Sequence, residues 1–169
     1  MITKLFRSTQ EHTFERTYPA PITQVWQAWT EPDLLRQWWG PEDTTVPECE
    51  VDLHVGGRLW IVMQAGEGMG KYAGTRWPLE ATFTRIEPPH QLAYDARSWT
   101  EGEEASVIVH TNEVQLSDQG DDTLVRLKIH VREIGSGVKS RLAAYGMKWG
   151  YKAQLDKLEQ MLTSPRTET

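Results

Sequence analysis

His110 and Asn112 carry the clearest chemical signal in the chain. An imidazole can move protons near neutral pH, and a carboxamide can donate and accept hydrogen bonds at once. Their spacing suggests where they point. Both lie in the stretch Ser106 to Ser117, in phase with Ile108, Val114 and Leu116, and residues two apart on a strand share a face. The next stretch, Thr123 to Val131, alternates Val125, Leu127, Ile129 and Val131 against Arg126, Lys128 and His130. Asp118-Gln119-Gly120-Asp121 between them is rich in turn formers. A hairpin pairing Val114 with Val125 sets Asn112 beside Leu127 and His110 beside Ile129, and directly opposed residues share a face. Both polar residues then face an apolar interior, where each needs a partner. A competing reading satisfies them with core or backbone groups, or has a bulge turn Val107 and Val109 inward instead.

Other groupings that look chemical are weaker. Glu48, Glu50 and Asp52 alternate with Cys49, Val51 and Leu53, the pattern of a strand with one wet face, so the carboxylates read as a solvated row. GEGMGK, Gly66 to Lys71, falls short of a phosphate loop: Ala65 and Tyr72 stand where Gly and Ser or Thr are required. His12, His54, His90 and His130 show no metal-ligand spacing, and no nucleophile motif is present. No metal, cofactor or assigned catalytic residue is therefore expected. The net charge of −6 and the lack of a basic block argue against nucleic acid and anionic lipid as partners. No apolar run approaches a membrane span, and the N-terminus lacks the core of a signal peptide. A single cysteine, Cys49, excludes an internal disulfide framework and suits a cytoplasmic protein.

These residues need elements to hold them. The last stretch, Val138 to Leu162, has helical period, with Ala144, Met147, Tyr151, Leu155, Leu158 and Leu162 on one stripe. A second stripe, Leu142, Tyr145, Trp149 and Ala153, lies roughly opposite, and a helix apolar on two faces has two partners. Loops or the first helices would cover it, or a second subunit would. Gly146 and Gly150 expose backbone on a third edge. Upstream, Phe14 and Tyr18 mark a half-buried strand, and Val25, Ala28 and Trp29 a short helix. Leu34, Leu35, Trp38 and Trp39 form another helix, ended by Gly40-Pro41. Six strands follow, of which Arg58 to Gln64 is apolar on both faces and Gln91 to Ser98 places Leu92, Tyr94 and Ala96 together. Eight tryptophans supply either large core pieces or the walls of a cavity. One domain is expected, 12–163, with an N-terminal extension, 1–11, and a tail, 164–169.

One strand, two short helices, six strands and a long helix resembles the helix-grip architecture of the START-like (SRPBCC) superfamily, to which birch pollen allergen and the polyketide cyclases belong. Four segments narrow the resemblance: APITQVWQAWTEPDLLRQWWGP (Ala20 to Pro41), VDLHVGG (Val51 to Gly57), IEPPHQLAY (Ile86 to Tyr94) and GYKAQLDKL (Gly150 to Leu158). These are similar to the activator of heat-shock-protein-90 ATPase homologue (AHSA-type) family, in order and over roughly residues 12 to 162. The resemblance implies an α+β fold in which a seven-stranded antiparallel sheet wraps round the C-terminal helix, with a cavity between them. Tyr151 stands where many relatives carry Trp. The eukaryotic chaperone activators have an additional N-terminal domain, so co-chaperone activity does not travel with the fold.

The expected function is binding of a small hydrophobic or aromatic molecule in that cavity. Trp60, Tyr94, Met147 and Tyr151 form its walls, and His110 and Asn112 orient the ligand. Two alternatives stand beside it. One is a cyclase- or hydrolase-like enzyme using His110 as acid or base in the same cavity. The other is a stress- or chaperone-related interaction module that meets a partner, or a second copy as a homodimer, through Leu142, Tyr145 and Trp149.

Overall fold

The computed structural model describes residues 4–164. The first three residues of the expected extension and all but the first of the expected tail lie outside that range. The elements are β1 (Leu5–Arg7), β2 (Glu11–Tyr18), α1 (Ile22–Thr30), α2 (Pro32–Trp38), β3 (Thr44–Val51), β4 (Arg58–Ala65), a short 3-10 turn (Glu67–Tyr72), β5 (Arg76–Glu87), β6 (Gln91–Thr100), β7 (Glu103–Gln119), β8 (Asp122–Gly135) and α3 (Val138–Thr163). All strands belong to one antiparallel sheet ordered β1-β8-β7-β6-β5-β4-β3, and β2 joins it on β8 as well. Because β1 and β2 lie along the same edge of β8, the eight segments occupy seven positions. Among the described residues, no helix is long and apolar enough to cross a membrane.

Alternation decides which side of the sheet is dry. On β8, Val125, Leu127, Ile129 and Val131 are all at most 2% exposed, while Arg126 and Lys128 face water and meet Glu15 and Glu11 of β2. Such exposed pairs contribute about 0–1 kcal/mol and help set register. The β7–β8 pairing is displaced by two residues from the expected one: Val114 faces Leu127, Asn112 faces Ile129 and His110 faces Val131. The cause is the turn. Gln119 pairs with Asp122, so the two-residue loop is Gly120-Asp121. Gly120, with φ 82°, takes the first loop position, where a tight hairpin of this kind favours glycine. A slip of two keeps every side chain on its face, whereas a slip of one would have inverted them all. A bulge does occur, but on β8: Val109 faces Glu133 and His110 faces Val131, leaving Arg132 as the extra residue. His110 therefore stays inward.

α1 and α2 close one end of the grip with aromatic bulk. Trp26, Trp29, Trp38 and Trp39 are all at most 9% exposed. Trp29 meets Trp38 edge-on at 4.7 Å, and the Trp38 indole N–H donates to Ala28 O at 2.9 Å. Pro32 opens α2 at its first turn, where the missing N–H costs nothing. α3 lies across the inner face. Its buried stripe is Ala144, Leu155, Leu158 and Leu162, with Met147 and Tyr151 partly covered. The Tyr18 hydroxyl ties it to β2 by donating to Leu155 O at 3.2 Å. Most of the second stripe has no cover among the described residues, for Leu142, Tyr145 and Trp149 are 65%, 78% and 65% exposed, while Ala153 is half-buried. A Cβ added at Gly146 or Gly150 would meet nothing within 4 Å, so neither glycine serves a close approach within the chain.

Candidate functional site

β6 and β7 assemble the site by simple alternation. Pairing sets Tyr94 opposite Asn112, Ala96 opposite His110 and Ser98 opposite Ile108, all toward α3. Tyr151 comes down from the helix, beside Phe14 of β2 at 6.3 Å between ring centres. Asn112 is the hub. Its Nδ2 donates to the Tyr94 hydroxyl at 3.1 Å and to the Tyr151 hydroxyl at 3.2 Å. Its Oδ1 lies 2.6 Å from His110 Nδ1. An amide oxygen only accepts, so His110 carries its proton on Nδ1, and Nε2 is left to accept from Ser98 Oγ at 3.3 Å. Tyr94, His110 and Asn112 are at most 1% exposed. One buried network thus joins two strands to the helix.

Burial disfavours charge throughout the network. Burial lowers the His110 pKa from its ordinary 6.5, against the opposing effect of the hydrogen bond to Asn112. Burial also raises both phenols, Tyr94 well above its usual value and Tyr151 to about 12. The order Ser98, His110, Asn112 has the outline of nucleophile, base and orienting group. Here the orienting group is a neutral amide. An imidazolium formed by taking the Ser98 proton would meet no carboxylate in a site where burial already disfavours charge. Among the described residues, no group of three His, Cys, Asp or Glu could hold a metal ion.

Of the six expected pocket residues, the structure brings Tyr94, His110, Asn112 and Tyr151 into one network. Met147 lies a turn of α3 away, packed against both parts of the core. Trp60 is on the other side of the sheet. Leu59 and Ile61 take the inner face of β4, while Trp60 packs against Trp99 at 6.0 Å and under the Arg58 guanidinium at 4.6 Å. β4 is apolar on both faces, so alternation alone did not choose between them.

Two further polar groups were not foreseen. Ser98 continues the inward phase of Tyr94 and Ala96, which is the signal that could have found it. Gln154 interrupts the inner stripe of α3 one turn after Tyr151, and it is 5% exposed. Its Oε1 accepts the Gly40 N–H at 3.0 Å. Beside the N-terminal part of α3 a cleft of about 470 Å³ opens, lined among others by Tyr72, Trp77, Leu142 and Ala143. Ion pairs of Arg76 with Glu101 and of Lys139 with Glu103 stand at its rim.

Comparison with known proteins places this geometry. Over nearly its whole length the chain superposes on solved structures. One is a protein from Rhodobacter sphaeroides, with 22% identity, 98% of this chain and 100% of that chain covered, and a TM-score of 0.71. Another is a protein from Chromobacterium violaceum, with 16% identity, 92% and 98% covered, and a TM-score of 0.73. A third is described as the AHSA1 protein of Silicibacter pomeroyi, with 18% identity, 90% and 97% covered, and a TM-score of 0.71. At these identities the likeness speaks for the fold. No curated protein matches the sequence. The family described as activator of Hsp90 ATPase homolog 1-like protein matches residues 19–163. By that match, over most of its length, the chain belongs to the AHSA1 family.

Proposed function

We propose that the protein binds a small, mostly apolar molecule between the inner face of the sheet and α3, oriented by the Asn112 hub. The observation that carries this reading is the hub itself. A fully buried carboxamide, bonded at once to Tyr94 and His110 of the sheet and Tyr151 of the helix, supplies the few placed polar groups typical of ligand sites with otherwise apolar walls. The cleft of about 470 Å³ lies beside the half of α3 that is least packed, and serves as the entrance. The buried free Cys49 suits the reducing cytoplasm as the place of action. Native mass spectrometry of gently purified protein tests the reading, comparing intact mass before and after denaturation. Extra mass lost on denaturation is expected. A ligand-free mass, together with no change in melting across a panel of apolar and aromatic compounds, would overturn it.

A second reading is favoured by the exposed stripe. Leu142, Tyr145 and Trp149, each at least 65% exposed, form an apolar strip of the kind that marks interaction surfaces. On this reading the strip meets a partner or a second copy. A Trp149→Ala variant that leaves the solution mass unchanged from a dimeric parent would count against the second copy.

A further inference from the structure

We infer that the uncovered face of the first half of α3 is a docking surface for an anionic lipid bilayer, on which Tyr145 and Trp149 enter the headgroup layer while Arg141, Lys148 and Lys152 meet its phosphates. The inference rests on the reading of the strip as an interaction surface and names the partner.

The helix gathers the two kinds of residue. At about 100° per residue, Val138, Leu142, Tyr145 and Trp149 fall within an arc of about 60°, and they are 74%, 65%, 78% and 65% exposed. Arg141 stands three residues after Val138 and four before Tyr145, Lys148 follows Tyr145 by three, and Lys152 follows Trp149 by three. Residues so spaced are neighbours on a helix surface, so these cations form one flank of the strip. All three are exposed. Among the described residues none of them has an acidic partner, whereas Lys139 on the other flank is engaged by Glu103 and Asp156 by Arg16.

The net charge of −6 weighs against anionic lipid for the chain as a whole. The fold separates the charges. Arg141, Lys148 and Lys152 form no block in the sequence and meet only when the helix winds. Glu11, Glu15, Glu48, Glu50 and Glu80 stand on the outer face of the sheet, away from α3, and are ion-paired there. What α3 turns to solvent is Tyr and Trp beside Lys and Arg, the composition of a helix that lies in the membrane interface.

A second copy fits less well. A two-fold contact sets the same patch against itself. With the helices antiparallel, strip on strip brings the basic flank against the basic flank. With the helices parallel, that flank meets Lys139, Gly146 and Gly150, which offer no acid. Like charges set together disfavour association. A bilayer supplies the missing anions and needs no groove matched to a convex strip.

Co-sedimentation of the full chain with vesicles tests the assignment, using phosphatidylcholine alone and phosphatidylcholine mixed with phosphatidylglycerol. Partitioning onto the anionic vesicles should exceed that onto neutral ones by about tenfold or more at low salt, and decline as salt screens the contact. Lys148→Gln and Lys152→Gln should each lower it about fivefold, the worth of one cation near an anionic surface, and Trp149→Ala should lower it severalfold. Lys128→Gln, on the outer face of the sheet, removes the same charge and should leave it unchanged. Failure to bind anionic vesicles, or equal binding to both kinds, overturns the lipid assignment, as does a loss as large for Lys128→Gln as for Lys148→Gln. Solution mass then separates that failure from failure of the reading beneath it. A dimer that Trp149→Ala dissociates keeps the strip as an interaction surface with a second copy on it, and a monomer that binds no vesicles removes that surface as well.

Discussion

The two halves of α3 are built to different standards. From Tyr151 to Leu162 the helix buries Gln154, Leu155, Leu158 and Leu162, all at most 8% exposed, against the sheet and α2. From Val138 to Gly150 it buries Ser140 and Ala144 fully and Met147 in part, and turns Val138, Leu142, Tyr145 and Trp149 to solvent. The first half also holds Gly146 and Gly150, each weakening a helix by about 1 kcal/mol relative to Ala. One helix therefore contains an anchor and a lightly held cover, and the hub residue Tyr151 sits at their junction. Regions with few buried apolar contacts open at lower free energy than the core. The ligand site proposed beneath the junction would combine a rigid floor with a wall that can yield.

The largest expected effect tests the anchor. Leu158 is 0% exposed, so Leu158→Ala should remove about 2–5 kcal/mol from the unfolding free energy, through lost transfer energy and the cavity left behind. Denaturant titration measures it. A loss near zero would mean that the second half is no better seated than the first, and the comparison would fall.

The junction comes next. Asn112→Ala strips His110 Nδ1 of its acceptor and the two phenols of their common donor. Leaving buried polar groups unpaired costs about 1–3 kcal/mol. Thermal melting should show the loss, and Tyr151→Phe, which removes only one of the hub's acceptors, should show a smaller one. If the two variants melt alike, the hub does not join helix to sheet as the hydrogen bonds indicate.

Acid should weaken the same junction. Burial lowers the His110 pKa below its ordinary 6.5, and burial also lowers that of His12, with a further contribution from Lys148. As pH falls below 6.5, the unfolded chain takes up these protons before the folded one does. The stability contributed by neutral burial is thus complete above that pH and declines below it. Melting temperature measured from pH 7.5 down to 5.5 should fall, and His110→Gln should flatten the fall. An unchanged slope would remove His110 from the account.

Much of this was legible in the sequence because hydrophobic period is a strong signal. The alternation of Val125, Leu127, Ile129 and Val131 fixed the inner face of β8 and, through pairing, the inward aim of His110 and Asn112, even with the register two residues off. The helical stripe from Ala144 to Leu162 identified α3. Period fails where both faces are apolar. In Arg58–Ala65 it could not say that Leu59 and Ile61 turn inward and Trp60 outward, since a central strand of mixed cover carries no contrast. Period also says nothing of partners across the fold. That Gln154 would bond to Gly40 depends on where α2 ends relative to α3, a tertiary fact with no local trace.

Gly146→Ala and Gly150→Ala probe the first half of α3 directly. An added Cβ meets nothing within 4 Å at either position, so each change should stabilise the protein by about 0.5–1 kcal/mol. Amide hydrogen exchange should slow across the first half of α3 and stay as it was across the second. Stabilisation spread evenly over the helix would show that the halves move as one.

The smallest effect is expected at Trp149, and its smallness is the point. A tryptophan at a packed site loses about 3–5 kcal/mol when cut to alanine. At 65% exposure on the uncovered side of α3, Trp149→Ala should change the unfolding free energy of the monomer by no more than about 0.5 kcal/mol. Denaturation at two protein concentrations tenfold apart separates the possibilities. A small change, equal at both concentrations, places Trp149 on a surface that folding does not use. A large change that grows with concentration would mean that the stripe is buried in an assembly. The first half of α3 would then be no loose cover at all, but an anchor whose seat lies on another copy of the chain.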